Sequence, residues 1–229
     1  MTWHVALPVS RDRGSLLRRA LLLLVPIAVL VSPALPASAV AAAPPGIGHA
    51  WSTYLAGHNQ VVVASGDGRS SDRVTVTLYN RHSNGWVRVG SWRGYNGLQG
   101  WTTSPSSSTM ATPVGVFTLT AAGGYSASPS TKLPYDHSLS RYSLISHGVR
   151  TFNHVIAIDY NHVPGSAPTD ARYPLGARAG YHFWLHTAHN SGSGGCVTVP
   201  DAGVVIILQK LDPRAHPVIA MAPASVLAR

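Results

Sequence analysis

The chain has 229 residues, of which 45% are hydrophobic and only 11% charged, and it carries a net charge of +9. This is enough apolar sequence for one globular core and the wrong composition for a disordered chain; with no block of Lys and Arg interleaved with aromatics, a nucleic-acid partner is not expected. The one cysteine excludes an internal disulfide.

The first segment, 1–39, has the order of a secretory signal. Arg11, Arg13, Arg18 and Arg19 precede an apolar run over 20–31, and the small residues Ala37, Ser38 and Ala39 follow. Pro26, Pro33 and Pro36 argue against one long unbroken helix. Cleavage near Ala39 is expected, leaving a secreted or wall-associated protein; if the segment is retained it would act as a membrane anchor, with transient membrane association through the N-terminus. Cleavage would remove four Arg and one Asp and leave a basic remainder. That balance suits the polyanionic polymers of a bacterial wall.

Residues 40–58, rich in Ala, Pro and Gly, are expected to be a spacer, and the folded domain spans 59–229. From there β-type runs recur at 61–64, 74–79 and 86–89, separated by Gly66-Asp67-Gly68 and Ser83-Asn84-Gly85. Further runs at 116–120, 155–159, 181–186 and 217–221 predict a mainly β fold, as a mixed sheet or a sandwich. One helix is predicted over 201–211, where Val204, Val205, Ile207, Leu208 and Leu211 recur at helical spacing before Asp212-Pro213. The polar segment 126–146 is long for a loop in a compact domain and is expected to be a substrate-facing lid or a mobile insertion.

The chemistry concentrates in His186-Thr187-Ala188-His189-Asn190-Ser191-Gly192-Ser193-Gly194-Gly195-Cys196-Val197. A strand delivers a histidine to its end and a glycine-rich loop returns the cysteine. A thiol near its ordinary pKa is a poor nucleophile, and an imidazole within reach removes its proton. Glycines 192, 194 and 195 let backbone N–H groups converge near Cys196, where an oxyanion would develop. The same residues also fit a glycine-rich hairpin beside a buried, inert cysteine. A zinc site on His182, His186, His189 and Cys196 is disfavoured, because His182 and His186 in one strand would stand about 13 Å apart. No metal or organic cofactor is expected.

At this point the sequence resembles a known family. Thr112-Pro113-Val114-Gly115-Val116-Phe117, the histidine His186 ending a hydrophobic strand, and Ser193-Gly194-Gly195-Cys196-Val197 resemble, in this order, the motifs of YkuD-type L,D-transpeptidase catalytic domains of the actinobacterial exported form. Weaker agreement at Asp159-Tyr160-Asn161 and Leu211-Asp212-Pro213 extends the likeness over most of the chain after the leader.

The resemblance implies a YkuD-like β fold and a peptidoglycan stem peptide as partner and substrate. Cys196 would attack the carbonyl before the terminal D-Ala of a tetrapeptide stem, release D-Ala, and pass the acyl group to an amine of a neighbouring stem as a 3→3 cross-link. It further implies His186 as base and acid, the N–H groups of Gly195 and Cys196 as oxyanion donors, a backbone carbonyl orienting the histidine with Thr187 as local contributor, and Ser193 shaping the loop. Gly194 stands where the family often has histidine and Thr198 where it often has arginine. These departures leave open an L,D-carboxypeptidase that hydrolyses the thioester, beside a wall-binding or scaffolding module without activity.

Overall fold

The computed structural model describes residues 43–229, so the leader expected over 1–39 lies outside the described residues. The chain is mainly β, as its alternating runs predict. Its strands in chain order are β1 (Gln60–Gly66), β2 (Arg73–His82), β3 (Gly85–Tyr95), β4 (Trp101–Thr102), β5 (Thr112–Pro113), β6 (Gly115–Thr118), β7 (Ala122–Gly123), β8 (Tyr135–Asp136), β9 (Ile145–Ser146), β10 (Val149–Arg150), β11 (Val155–Ala157), β12 (Trp184–Thr187), β13 (Val197–Val199) and β14 (Val218–Pro223). Helices α1 (His49–Ser52), α2 (Asp201–Lys210) and α3 (Ala224–Leu227) complete it, with short 3-10 turns. Among the described residues no helix is long and apolar enough to cross a membrane.

Ten strands form one curled mixed sheet in the order β6-β14-β1-β2-β3-β13-β12-β11-β7-β8. The hairpin β2–β3 turns at Ser83-Asn84-Gly85, where Gly85 takes φ 127°. Three of the sheet's pairings are parallel: β1 with β14, β12 with β13, and β7 with β8.

The alternation of side chains splits each strand between two faces. One face carries Val62, Ala64, Val74, Val76, Leu78, Ile156, Leu185, Val197, Val199, Ile219 and Met221, packed around Val204, Ile207, Leu208 and Leu211 of α2 and its end. The helix therefore lies against this face of the sheet and buries one stripe of its surface. Each fully buried Val, Leu or Ile there contributes roughly 1.5–3 kcal/mol of transfer free energy. The helix ends at Leu211 because Asp212-Pro213 begins a 3-10 turn that Asp212 caps by accepting from the Arg214 N–H.

The opposite face is covered in two patches. Over β1 and β14, Val61, Val63, Val218 and Ala220 are covered by Leu55, Leu227, Ile47 and Trp51. The expected spacer is thus part of the body from residue 43: Leu55 is fully buried, Trp51 Nε1 donates to Val226 O, and Gly48 N donates to Leu227 O. Its apolar residues shield strands that a two-sided sheet would leave open. Over β11 and β12, Val155, Ala157 and Trp184 pack with Ala121, Tyr142, Phe152 and Cys196.

Candidate functional site

The pairing of β12 with β13 fixes the geometry of the site. Leu185 pairs with Val197 and His186 with Thr198 in parallel register, so residue 196 extends that register opposite Trp184. Leu185 and Val197 point into the main core. Trp184, His186 and Cys196 therefore project from the other face. Adjacent strands about 4.8 Å apart and two residues of rise put the α-carbons of His186 and Cys196 roughly 8 Å apart, within mutual reach of their side chains. Both line one cleft of about 290 Å³, together with Leu144, Ser146, Thr151, Phe152, Tyr181, His182, Phe183, His189, Ser193 and Gly194.

His186 is buried, at 3% exposure, and its Nδ1 stands 2.9 Å from Thr187 O and 3.1 Å from Thr151 O. Carbonyls only accept, so Nδ1 carries the proton and donates to both. Nε2 is then the unprotonated nitrogen, and it has no hydrogen-bond partner among the described residues. Burial pushes the imidazole down to about 4, against the opposing pull of the Thr187 carbonyl. Behind it, the Thr187 hydroxyl donates to Asp201 Oδ1 at 2.6 Å, and the same oxygen accepts from His154 Nδ1 at 3.0 Å. Asp201 opens α2, where the helix dipole favours a carboxylate.

Cys196 is half-buried, and the hydrogen bonds of its Sγ are to backbone: the Trp184 N–H at 3.4 Å and the His182 carbonyl at 3.5 Å. Burial pushes the thiol up to about 11, partly offset by the Trp184 N–H. Both groups of the cleft are accordingly uncharged near neutrality, and no hydrogen bond joins Sγ to the His186 ring.

The loop before Cys196 is tied down at several points. Ser193 Oγ accepts from the Gly195 N–H at 3.0 Å and donates to the Cys196 carbonyl at 2.6 Å. Ser193 also exchanges backbone bonds with the 96–98 segment, accepting from Leu98 N and donating to Asn96 O. Thr112 Oγ1 accepts from Gly97 N at 2.8 Å and donates to Gly195 O at 2.9 Å. Gly195 has φ +129°, and an added Cβ would meet Phe183 Cε1 at 2.6 Å.

Two expectations from the sequence change here. The Gly195 N–H, expected as an oxyanion donor, is taken by Ser193. The Cys196 N–H, the other expected donor, has no acceptor among the described residues. The predicted strand 181–186 begins only at Trp184, because His182 takes φ 56°, a left-handed turn that ends the extended run. Among the described residues no group of three or more His, Cys, Asp or Glu is arranged to hold a metal ion. Gly194 is exposed on the loop with no atom within 4 Å of an added Cβ.

The segment 126–146 carries β8, the buried Tyr142 and the start of the β9–β10 hairpin, so Leu144 and Ser146 form one wall of the cleft. Thr151, Asp201 and His189 are site residues that the sequence pattern did not single out for their contacts to His186 or its partner. Only the proximity of β10 and α2 to β12 brings Thr151 and Asp201 there.

No family model matches the chain, and no curated protein matches it. Among solved structures, that of Bdellovibrio bacteriovorus Bd1075 is similar at 16% identity with a TM-score of 0.39, over 72% of this chain and 48% of that one. The chain thus spans about half the length of that protein. At that TM-score the likeness supports no statement about fold or function.

Proposed function

We propose that the chain is an exported cysteine acyltransferase acting on peptidoglycan stem peptides, an L,D-transpeptidase of the YkuD type. The observation that supports it is the state of His186: two carbonyls hold Nδ1–H, which leaves Nε2 as a base in the cleft it shares with Cys196. An inert core cysteine would need no such neighbour.

In this reading Nε2 of His186 takes the Cys196 proton as Sγ bonds to the carbonyl carbon before the terminal D-Ala. The Cys196 N–H donates to the resulting oxyanion. Collapse breaks the C–N bond, the imidazolium returns the proton to the departing D-Ala amine, and a thioester remains. An acceptor amine then attacks the thioester, loses its proton to Nε2, and displaces Sγ, which is reprotonated. With water in place of the amine the same steps release a tripeptide, which is the L,D-carboxypeptidase alternative.

Incubation of the protein with a disaccharide tetrapeptide, followed by intact-protein mass spectrometry and measurement of free D-Ala, tests this. The expected result is an acyl-tripeptide adduct and stoichiometric D-Ala, both lost in Cys196→Ala. A folded protein that yields neither would overturn the assignment in favour of a wall-binding module. The thiol raised to about 11 is the observation on that side.

A further inference from the structure

Three imidazoles form a column beside the cleft. His186 and His189 have ring centroids 6.2 Å apart with planes 15° from parallel, and His189 and His147 are 5.9 Å apart at 3°. They come from three different elements: β12, the loop leading to Cys196, and the turn of the β9–β10 hairpin. Such an arrangement does not arise from local sequence.

The rings of His147 and His189 are each held in place. At the hairpin turn His147 and Gly148 both have positive φ, 50° and 74°, the pattern of a tight two-residue hairpin turn. A histidine in the left-handed region is strained, so its contacts must offset that strain. Ser146 Oγ lies 3.0 Å from His147 Nδ1. In the other loop Ser191 Oγ lies 3.0 Å from His189 Nδ1, and Asn190 takes φ 64°.

The hairpin reaches the base from its other end as well. Directly after β10, Thr151 O accepts from His186 Nδ1, and the Phe152 ring meets the His186 ring edge-on at 5.0 Å and 81°. His186 is thus held along its edge by two carbonyls, against Phe152, and on one face by His189.

The charged and titratable neighbours are few. Tyr181, His182 and Cys196 share the cleft with His186 and His189, and no Asp, Glu, Lys or Arg lines it. Asp201 is reached only through Thr187 and is paired with His154, while Arg150 on β10 lies 3.6 Å over the Tyr125 ring. The stacked histidines are therefore the groups whose charge bears most directly on the base. A proton on His189 opposes one on His186.

We propose that His189 is a positioning residue of this site: stacked between His147 and His186, it fixes the ring of His186 in one orientation and fastens the β9–β10 hairpin along the cleft. Its consequence for turnover rests on the acyl-transfer reading, but the state of the His186 ring can be measured without any substrate.

The test is imidazole ¹⁵N NMR of the protein across pH, for wild type, His189→Phe, His189→Ala and His147→Ala. Phe keeps a ring of similar size at the position and removes the charge, so it guards against loss of the fold. In wild type His186 is a single Nδ1–H tautomer. In His189→Phe the tautomer persists and the His186 midpoint rises by roughly one on the pH scale, the size a charge some 6 Å away produces at an effective dielectric above 20. In His189→Ala the tautomer preference weakens and single-turnover acylation falls by roughly ten-fold or more, while His189→Phe keeps most of that rate. In His147→Ala the hairpin amides exchange faster and the His186 tautomer is unchanged. Identical His186 titration and tautomer in wild type and both His189 variants would overturn the proposal. A response of His186 with no acyl-enzyme in wild type would leave His189 as a positioning residue and remove the transpeptidase reading instead.

Discussion

The Thr112 hydroxyl donates to the carbonyl of Gly195, a residue 83 positions later, at 2.9 Å. Thr112 is also the acceptor for Gly97 N–H, so one buried side chain joins the segment after β3, the entry to β6 and the peptide immediately before Cys196. This connects the Thr-Pro-x-Gly-x-Phe stretch to the thiol. Val at position 112 would keep the shape and leave a buried N–H and a carbonyl unpaired. Thr112→Val is expected to cost about 1–3 kcal/mol in denaturant unfolding and to slow Cys196 alkylation or acylation, whereas Thr112→Ser retains most of both.

The protonation states of the pair set a second expectation. With His186 pushed down to about 4 and Cys196 up to about 11, neither group changes charge near neutrality. At pH 7 about one thiol in ten thousand is ionised, so the proton moves during attack and no thiolate–imidazolium pair waits beforehand. The acylation rate against pH should show a broad plateau between those two values. His186→Gln lowers it by roughly 10²–10⁴-fold. A narrow bell in stopped-flow measurements of wild type, with both limbs close to neutrality instead of near those two values, would contradict this.

The adjacent glycines 194 and 195 should respond oppositely to a methyl group. Gly195 has φ +129°, and its Cβ would lie 2.6 Å from Phe183 Cε1 and 3.0 Å from Ala111 O. Gly195→Ala is expected to lose more than about 1 kcal/mol and to displace Cys196. Gly194 has open space around its Cβ position, and Gly194→Ala should stay within about 0.5 kcal/mol of wild type. Urea melts and alkylation rates of the two variants make the comparison.

Two histidines give stability opposite dependences on pH. For His162, burial works against the charge, but the Asp159 carboxylate 2.8 Å away and the Ala167 carbonyl outweigh it and raise the folded pKa. The stability from that pair is complete below the unfolded value near 6.5 and is lost as pH rises through the folded value. For His186 the folded pKa is depressed, so the unfolded chain takes up the proton first. Stability then falls as pH drops from about 6.5 toward 4, by up to roughly 3 kcal/mol. Melting temperatures between pH 4 and 9 should decline on both sides; His162→Gln flattens the alkaline decline and His186→Gln the acid one.

Strands β1, β2, β3, β6, β11 and β14 were legible because β-branched and aromatic residues alternate between two environments, and α2 because its apolar residues recur with the period of a helix; β7, β8 and β13, two or three residues each, are too short to show a period. The start of β12 was not legible, because Tyr181 to Trp184 has the composition of a strand. A left-handed residue at His182, held where its Nε2 meets the Asp170 carbonyl at 3.3 Å, interrupts it. The segment 43–58 has the composition of a spacer, and only the apolar backs of β1 and β14 give Ile47, Trp51 and Leu55 a surface to cover.

By itself the sequence determined which atoms are available for chemistry: one thiol, a histidine ten positions before it, and a glycine-rich loop between them. It also determined the mainly β character, since alternation is a local property of the chain. The tertiary structure decided the state of those atoms. Which nitrogen of His186 carries the proton follows from two carbonyls, one of them on Thr151, 35 residues away. Which N–H near Cys196 is free follows from the Ser193 hydroxyl turning back on its own loop, and the plane of His186 follows from a stack with rings on two other elements. Hydrogen-bond partners and ring contacts are set by which elements the sheet brings side by side, and pairing between distant strands is not written in any one of them.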